Sequence, residues 1–319
     1  MPTIACVIPA YNREGSIERA VRSALDQTVP PQEIIVVDDG STDGTQSVVA
    51  AFGSSVRCIT QENAGCASAR NRGVHEAQSE WVAFLDSDDY WTPHHLEKME
   101  LAISETRGEA DYYFANVQRP ATEGELDQWQ LAHFSIAGDW KLKRDGQHWV
   151  LRPRIPMMLQ GTVFCRERFL TKGGLWEELR SREDTHCFLA HGTGYPLCAV
   201  NHIGTIMTAD AKPSNRLTGT IDPTSDAYWL YSVQLWRDLA DRLSGLSKPS
   251  RKLLEFRLFK AYWSLMLIAI RSGRPWKATL HSMAALRVSP QFFLGKVSGR
   301  RLTEKDIVPS NAIDEGLPD

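Results

Sequence analysis

Trp81-Val82-Ala83-Phe84-Leu85-Asp86-Ser87-Asp88-Asp89 joins five apolar residues to a run with three carboxylates in four positions. The apolar half is short and unbroken, and reads as a strand buried on both faces. The acidic half then lies just beyond that strand's carboxyl end. Three carboxylates so close together repel one another unless a cation or water relieves them. A hard divalent ion takes oxygen ligands, usually one or two carboxylates plus substrate phosphates. The plainer alternative is a helix N-cap, because Asp and Ser are favoured there and a helix signal follows Pro93. The buried strand before the acids weighs toward metal.

Two runs of the same kind lie upstream. Ile4-Ala5-Cys6-Val7-Ile8 is stopped by Pro9, and Ile34-Ile35-Val36-Val37 is closed by Asp38-Asp39-Gly40-Ser41. Residues 56–60 make a fourth strand. Ile17, Ala20, Val21, Ala24 and Leu25 recur on one helical face. Further helices are expected over 45–51, over 67–77, and where Leu96, Met99 and Ile103 recur. Continuous apolar strands alternating with helices give an α/β fold, a parallel sheet covered on both faces. Ligands of such sheets sit beyond the carboxyl ends of the strands. That position holds Pro9-Ala10-Tyr11-Asn12, Asp38-Asp39-Gly40 and Asp86-Ser87-Asp88-Asp89. Asp38-Asp39-Gly40-Ser41 reads as a simple turn or as an acid accepting hydrogen bonds from a base or ribose. The chain has no GxGxxG, which argues against a dinucleotide cofactor.

The middle of the chain, about 110–220, is less regular. Residues 123–143 read as a long polar loop over the site, residues 161–164 and 203–208 as further strands, and the chain from about 225 as helical.

Four motifs in order carry a family likeness: Pro9-Ala10-Tyr11-Asn12; Val37-Asp38-Asp39-Gly40-Ser41-Thr42-Asp43; Asn63-Ala64-Gly65 with Ala69-Arg70-Asn71-Arg72-Gly73; and Phe84-Leu85-Asp86-Ser87-Asp88-Asp89. Over about residues 3–210 the chain resembles the family 2 glycosyltransferases, inverting enzymes with the GT-A fold, many of which build bacterial cell-surface polysaccharides. The resemblance implies a Rossmann-like nucleotide-binding fold with a mixed, mainly parallel sheet and helices on both faces. It implies a catalytic domain over 1–220, with a nucleotide-sugar half to about 110 and an acceptor half after it; the residues themselves add a basic, mainly helical C-terminal region over 225–319. Asp39 would read the base, with Pro9, Tyr11, Glu14 and Asn63 lining that pocket and Arg70 beside the base and its acid. Asp86 would face the ribose and a metal-bound water, with Ser87 also among the nucleotide-binding residues. Asp88 would hold the divalent ion, Mg²⁺ or Mn²⁺.

Gly173-Gly174-Leu175-Trp176-Glu177-Glu178-Leu179 followed by Arg182-Glu183-Asp184 resembles a second stretch of that family. By this likeness Asp184 is the general base, with Glu183 as the fallback. An inverting transfer needs one carboxylate to take the acceptor proton. The plainer reading is that both acids start a helix, where they favour its dipole. One departure concerns the segment after the last strand. The family often shows Arg and His near a Ser-x-Ser there, whereas this chain has Ala209-Asp210-Ala211-Lys212-Pro213-Ser214-Asn215-Arg216. A third protein ligand to the metal is left open, and His202, before that strand, is left outside the site.

The implied partners are a nucleotide-diphosphate sugar, most simply a UDP-sugar, and a saccharide or lipid-linked saccharide acceptor. A nucleotidyltransferase would need a basic phosphate loop after the first strand, which Pro9-Ala10-Tyr11-Asn12-Arg13-Glu14 does not resemble. A non-catalytic relative would have lost the acids at 86–88 or the base, and both are present. The six cysteines show no CxxC spacing and read as buried free thiols of a reducing compartment. The start has no signal-peptide pattern. The longest apolar run of the tail, residues 261–270, is half of what a spanning helix needs. A cytoplasmic protein, peripheral on the inner face of the plasma membrane, is therefore expected. Net charge is −3, yet residues 248–305 hold 13 Lys and Arg against Glu255 and Glu304. Such a tail meets something anionic. A nucleic acid is not expected without a binding module. Phe256, Phe259, Trp263, Leu267 and Ile270 fall at helical spacing, either to pack on the catalytic domain or to lie on anionic lipid.

Overall fold

In the computed structural model, which describes residues 1–120, 126–208, 224–300 and 302–304, strand β1 (Ile4–Ala10) is buried along its whole length. Ile4, Cys6, Ile8 and Ala10 enter one apolar core, while Ala5 and Val7 enter the other. Successive strand residues point to opposite faces. A strand covered on both sides therefore has no polar alternation to show, and this is why its sequence is apolar throughout.

Eight further strands are described: β2 (Glu33–Asp38), β3 (Arg57–Thr60), β4 (Trp81–Phe84), β5 (Tyr90–Trp91), β6 (Tyr112–Gln118), β7 (Trp140–Lys143), β8 (Thr162–Cys165) and β9 (Leu197–Ile206). They form one sheet in the order β3-β2-β1-β4-β8-β6-β9-β5, with β7 also on β9. The first four strands of that order run parallel. β8 is antiparallel to β4 and β6, and β6 runs parallel to β9. The early helices are α1 (Ile17–Leu25), α2 (Thr45–Ala50), α3 (Cys66–Glu76) and α4 (His95–Glu105). The second half adds α5 (Gln128–Leu131), α6 (Gln147–Val150), α7 (Arg166–Thr171) and α8 (Glu183–Gly192). The last are α9 (Asp226–Arg242), α10 (Lys248–Arg271), α11 (Pro275–Val288) and α12 (Pro290–Val297).

α1 and α4 cover one face, and α3 covers the other. Gly73 sets how close α3 comes to the sheet. A Cβ there would lie 2.3 Å from Val7 Cγ1, so only glycine lets the helix backbone sit on β1. Arg70 lies one turn earlier on the same helix.

Three expectations need correction. The predicted polar loop over 123–143 is mostly structured; residues 121–125 lie outside the described residues. Asp127 and Gln130 close a capping box on α5. Trp129 and Phe134 are buried edge-on against each other and beside Phe114, and β7 pairs antiparallel with β9. Isolated aromatic plugs in a polar stretch have no period, so the pattern hides them. β9 begins at Leu197 rather than 203, because Leu197 to Val200 are buried against β6. The thiols are all free, but only Cys6, Cys187 and Cys198 are buried. Cys58 is exposed because β3 is an edge strand.

The tail stripe divides. Phe256 and Phe259 are buried in the same core as Val150 and Phe188, whereas Leu267 and Ile270 are exposed. Arg257 is buried with them. It donates to the carbonyls of Leu151 and Arg152 and pairs with Glu304 at 3.1 Å. The first part of the helical region therefore completes the apolar core on that face of the sheet. Among the described residues no helix is long and apolar enough to cross a membrane.

Candidate active site

The loops after β1, β2 and β4 meet at the carboxyl edge of the parallel strands. Asp38 and Asp39 divide the two readings of their segment between them. Asp38 holds the turn, its carboxylate accepting from Ser41 N at 3.2 Å and Gln46 Nε2 at 2.5 Å. Asp39 builds a pocket wall. Its buried carboxylate accepts from Gln61 Nε2 (2.8 Å), Ala64 N (2.9 Å) and Gly65 N (2.8 Å). Gly40 allows this contact, with φ +77° and a Cβ position 3.1 Å from Asn63 N. Asn12, also left-handed at φ 53°, donates from its N to Ser41 Oγ and accepts from Thr42 N, tying the first loop to the second.

The acids after β4 do not cap α4, whose N-cap is His94; β5 intervenes. Asp86 pairs with Arg70 Nη2 at 2.5 Å, and Arg70 Nη1 lies 3.8 Å from Glu183. Asp89 is buried and accepts from Thr208 N and Gln160 Nε2, both at 3.1 Å. Burial, with Asp86 and Asp88 beside it, pushes the Asp89 carboxyl up to about 8. The main-chain carbonyl of Asp88 accepts from Arg19 Nη2 at 2.8 Å and Thr208 Oγ1 at 2.6 Å. Crowded hard oxygens of one sign suit a divalent cation. Among the described residues no group of three or more His, Cys, Asp or Glu side chains is placed to hold a metal ion.

Glu183 and Asp184 open α8, so they start a helix and face the cleft at once. Arg182 before them has a left-handed backbone, φ 68°. Its guanidinium lies 5.0 Å from the Trp236 ring and 5.8 Å from the Tyr228 ring, and donates to Ser232 Oγ at 3.0 Å. Helix α9 thus fixes the turn that presents the two acids. Burial and the Asp184 carboxylate, opposed by Arg70, push Glu183 up to about 7.

These segments enclose one cleft of about 610 Å³. Pro9, Tyr11, Asp39, Asn63 and Arg70 line it, and so do Asp86, Ser87, Asp88 and Asp184. Arg70 lies between Asp86 and Glu183 rather than pairing with Asp39. Glu14 is the one predicted residue not in the lining. Its exposed carboxylate accepts from Gly44 N at 2.8 Å, at the start of α2. His202 also stays outside, half-buried against His95 with ring nitrogens 3.1 Å apart. Residues 209–216 lie outside the described residues. Arg13, Arg119, Gln160 and Arg180 line the cleft without having been expected. Only Arg13 and Arg180 had a signal, each adjoining a quoted motif. A hollow of about 790 Å³ beside Met1, Glu80 and Arg166 is larger. It lies at the amino ends of β1 and β4, the wrong end for a ligand of such a sheet.

Residues 5–170 match the family model for glycosyl transferase family 2. The chain belongs to this family. A Bacillus subtilis (strain 168) glycosyltransferase assigned by name to teichuronic acid biosynthesis is 44% identical over 147 residues, 44% of this chain and 58% of that protein. Chondroitin synthase of Pasteurella multocida (strain Pm70) is 41% identical over 108 residues, 33% of this chain and 11% of that protein. The chain spans about half the length of the first curated relatives it matches. Among solved structures, S. aureus TarS 1-349 in complex with UDP-GlcNAc superposes with a TM-score of 0.61 at 15% identity, covering 94% of this chain and 93% of that one. The mannosyltransferase PcManGT from Pyrobaculum calidifontis, in complex with GDP-Man and Mn²⁺, gives 0.54 at 18% identity, covering 99% and 88%. The family 2 chain therefore has the GT-A fold together with a C-terminal helical region.

Proposed function

We propose that this family 2 chain transfers a sugar, with inversion, from a UDP-sugar to a hydroxyl of a saccharide or lipid-linked saccharide in cell-surface polysaccharide synthesis. The observation that carries the reading is the convergence of Asp39, Asp86, Asp88 and Asp184, from three distant segments, on one cleft. Asp39 and Asn63 form the wall for the base, with the exposed Tyr11 ring available to stack on it. Asp88 would hold a Mg²⁺ or Mn²⁺ ion, with Asp86 toward the ribose and a water on the ion, and the ion would supply charge neutralisation on the departing diphosphate. Asp184 takes the proton of the acceptor hydroxyl as its oxygen attacks the anomeric carbon opposite the leaving group. Arg70 holds Asp86 in place through their 2.5 Å ion pair. The UDP-GlcNAc complex of the TarS neighbour and the Mn²⁺ in the mannosyltransferase complex support a nucleotide-sugar donor and a divalent ion.

The test is a panel of nucleotide sugars with and without Mg²⁺ or Mn²⁺, scored by release of nucleoside diphosphate. A preferred UDP-sugar whose turnover needs the ion is the expected result. Turnover undiminished in chelator refutes the metal-dependent mechanism, and release of pyrophosphate would move the chain to nucleotidyl transfer.

A further inference from the structure

The end of the helical region carries an apolar face that nothing in the described residues covers. Trp276, Leu280 and Met283 on α11 are 62%, 56% and 48% exposed, and their spacing puts them on one side of the helix. Ile270 at the end of α10 is exposed too, as are Leu294 and Val297 on α12. α11 packs against both of these helices. Isolated exposed apolar residues need no explanation, but a row along adjoining helices marks an interaction site.

The charge around the row identifies what it meets. From Phe256 to Thr303 the sequence has no Asp or Glu. Two of the cations there are used internally, Arg257 by Glu304 and Arg274 by Asp226. Arg271, Lys277, Arg287, Lys296 and Arg300 make no ion pair among the described residues. Arg287 continues the turn-by-turn row begun by Trp276, Leu280 and Met283. A second copy on this face would set cation against cation. An anionic bilayer instead accepts the apolar row below its headgroups and meets the cations with phosphate.

We propose that the exposed face of α11, with the adjoining ends of α10 and α12, lies flat on an anionic lipid surface. Trp276, Leu280 and Met283 enter the interface, and Arg271, Lys277 and Arg287 meet the lipid phosphates. This narrows the basic tail to its last part, since Phe256, Phe259 and Arg257 are occupied in the core. It is independent of the transferase reading, because none of these residues lines the catalytic cleft.

The test uses the full chain, sedimented with phosphatidylglycerol vesicles or with pure phosphatidylcholine vesicles. Binding to the first, little to the second, and release by high salt are expected. Lys277→Glu with Arg287→Glu lowers partitioning roughly 30-fold at low salt, from the usual gain per basic residue near such a surface. Trp276→Ser with Leu280→Ser lowers it at least ~10-fold by removing apolar burial. Both variants keep wild-type melting temperature and nucleotide-sugar turnover in solution, so loss of vesicle binding is not loss of fold or catalysis. Equal binding to both vesicle types, or binding that neither variant weakens, overturns the proposal. Dimers that Trp276→Ser with Leu280→Ser dissociates, in a chain that ignores vesicles, would make the face a contact between copies. Vesicle binding gained only on removing residues 305–319, which are net acidic, would assign the face to the chain's own end and also overturn it.

Discussion

Arg182 offers a test in which backbone and side chain separate. Its φ of 68° places an L-residue in the left-handed region, at a cost of about 1–2 kcal/mol relative to glycine. Its guanidinium offsets that cost through the Trp236 ring, 5.0 Å away, and the 3.0 Å hydrogen bond to Ser232. A desolvated cation–π contact contributes ~2 kcal/mol, and a hydrogen bond to a charged group about 1.5–3 kcal/mol. The two share one group and do not add in full. Arg182→Ala keeps the backbone strain and loses the clamp, so it should unfold about 3 kcal/mol more easily. Arg182→Gly loses the same clamp but relieves the strain, and should be about 1 kcal/mol more stable than the alanine variant. That ordering is the reverse of the usual one between Gly and Ala in a helix. Urea denaturation read by tryptophan fluorescence gives both values. Because Arg182 adjoins Glu183 and Asp184, both variants should lose turnover, roughly 10- to 100-fold for a displacement of about 1 Å. The KM for the donor should move less. An alanine variant more stable than the glycine variant, or full turnover in both, would refute the clamp.

Other expectations follow from the same cleft. Asp184→Asn should lower kcat by roughly 10²–10⁴-fold with donor affinity little changed; if Glu183→Gln shows that loss and Asp184→Asn does not, the base is the neighbouring residue. Asp88→Ala, or chelation of the wild type, should abolish transfer and weaken nucleoside-diphosphate binding in calorimetry, and unchanged binding in both would remove Asp88 from the metal site. Glu183, raised from 4.5 to about 7, is a carboxyl whose protonated form the fold favours. Its contribution is therefore whole below pH 4.5 and is lost as pH rises to about 7. At pH 8 the loss is ~2–3 kcal/mol for a side chain one-fifth exposed. Glu183→Gln in chelator should remove most of the stability difference between pH 5 and pH 8, and an unchanged difference would place that titration elsewhere.

The parallel half of the fold was readable because burial on both faces leaves β1 and β4, and β2 between Glu33 and Asp38, without polar letters. The acids at their ends stood out against those runs. β6 was missed, because Asp111 and Asn116 interrupt an apolar stretch whose pairing with β9 is set from more than 80 residues away. Glu14 was placed in the pocket by its nearness to Asn12, but the chain turns at Arg13 and sends the carboxylate to Gly44. Arg119 was not legible at all, since only the sheet brings the end of β6 beside the acids after β4. For Arg70, the motif gave the residue but not its partners. Which of several acids a long side chain reaches is decided by the depth at which Gly73 lets α3 sit on Val7.

One guanidinium serving two acids from opposite sides of the cleft has a thermodynamic consequence. Arg70 divides its charge between Asp86, on the proposed donor side, and Glu183, on the proposed acceptor side. A ligand that draws Asp86 toward itself leaves more of Arg70 to Glu183 and favours the ionised form of that acid. Coupling of this kind is reciprocal. Whatever free energy donor binding contributes to ionising the acceptor-side acid, ionising that acid returns to donor binding. Donor affinity should therefore depend on pH through Glu183, and a change made beside either acid is registered at the other.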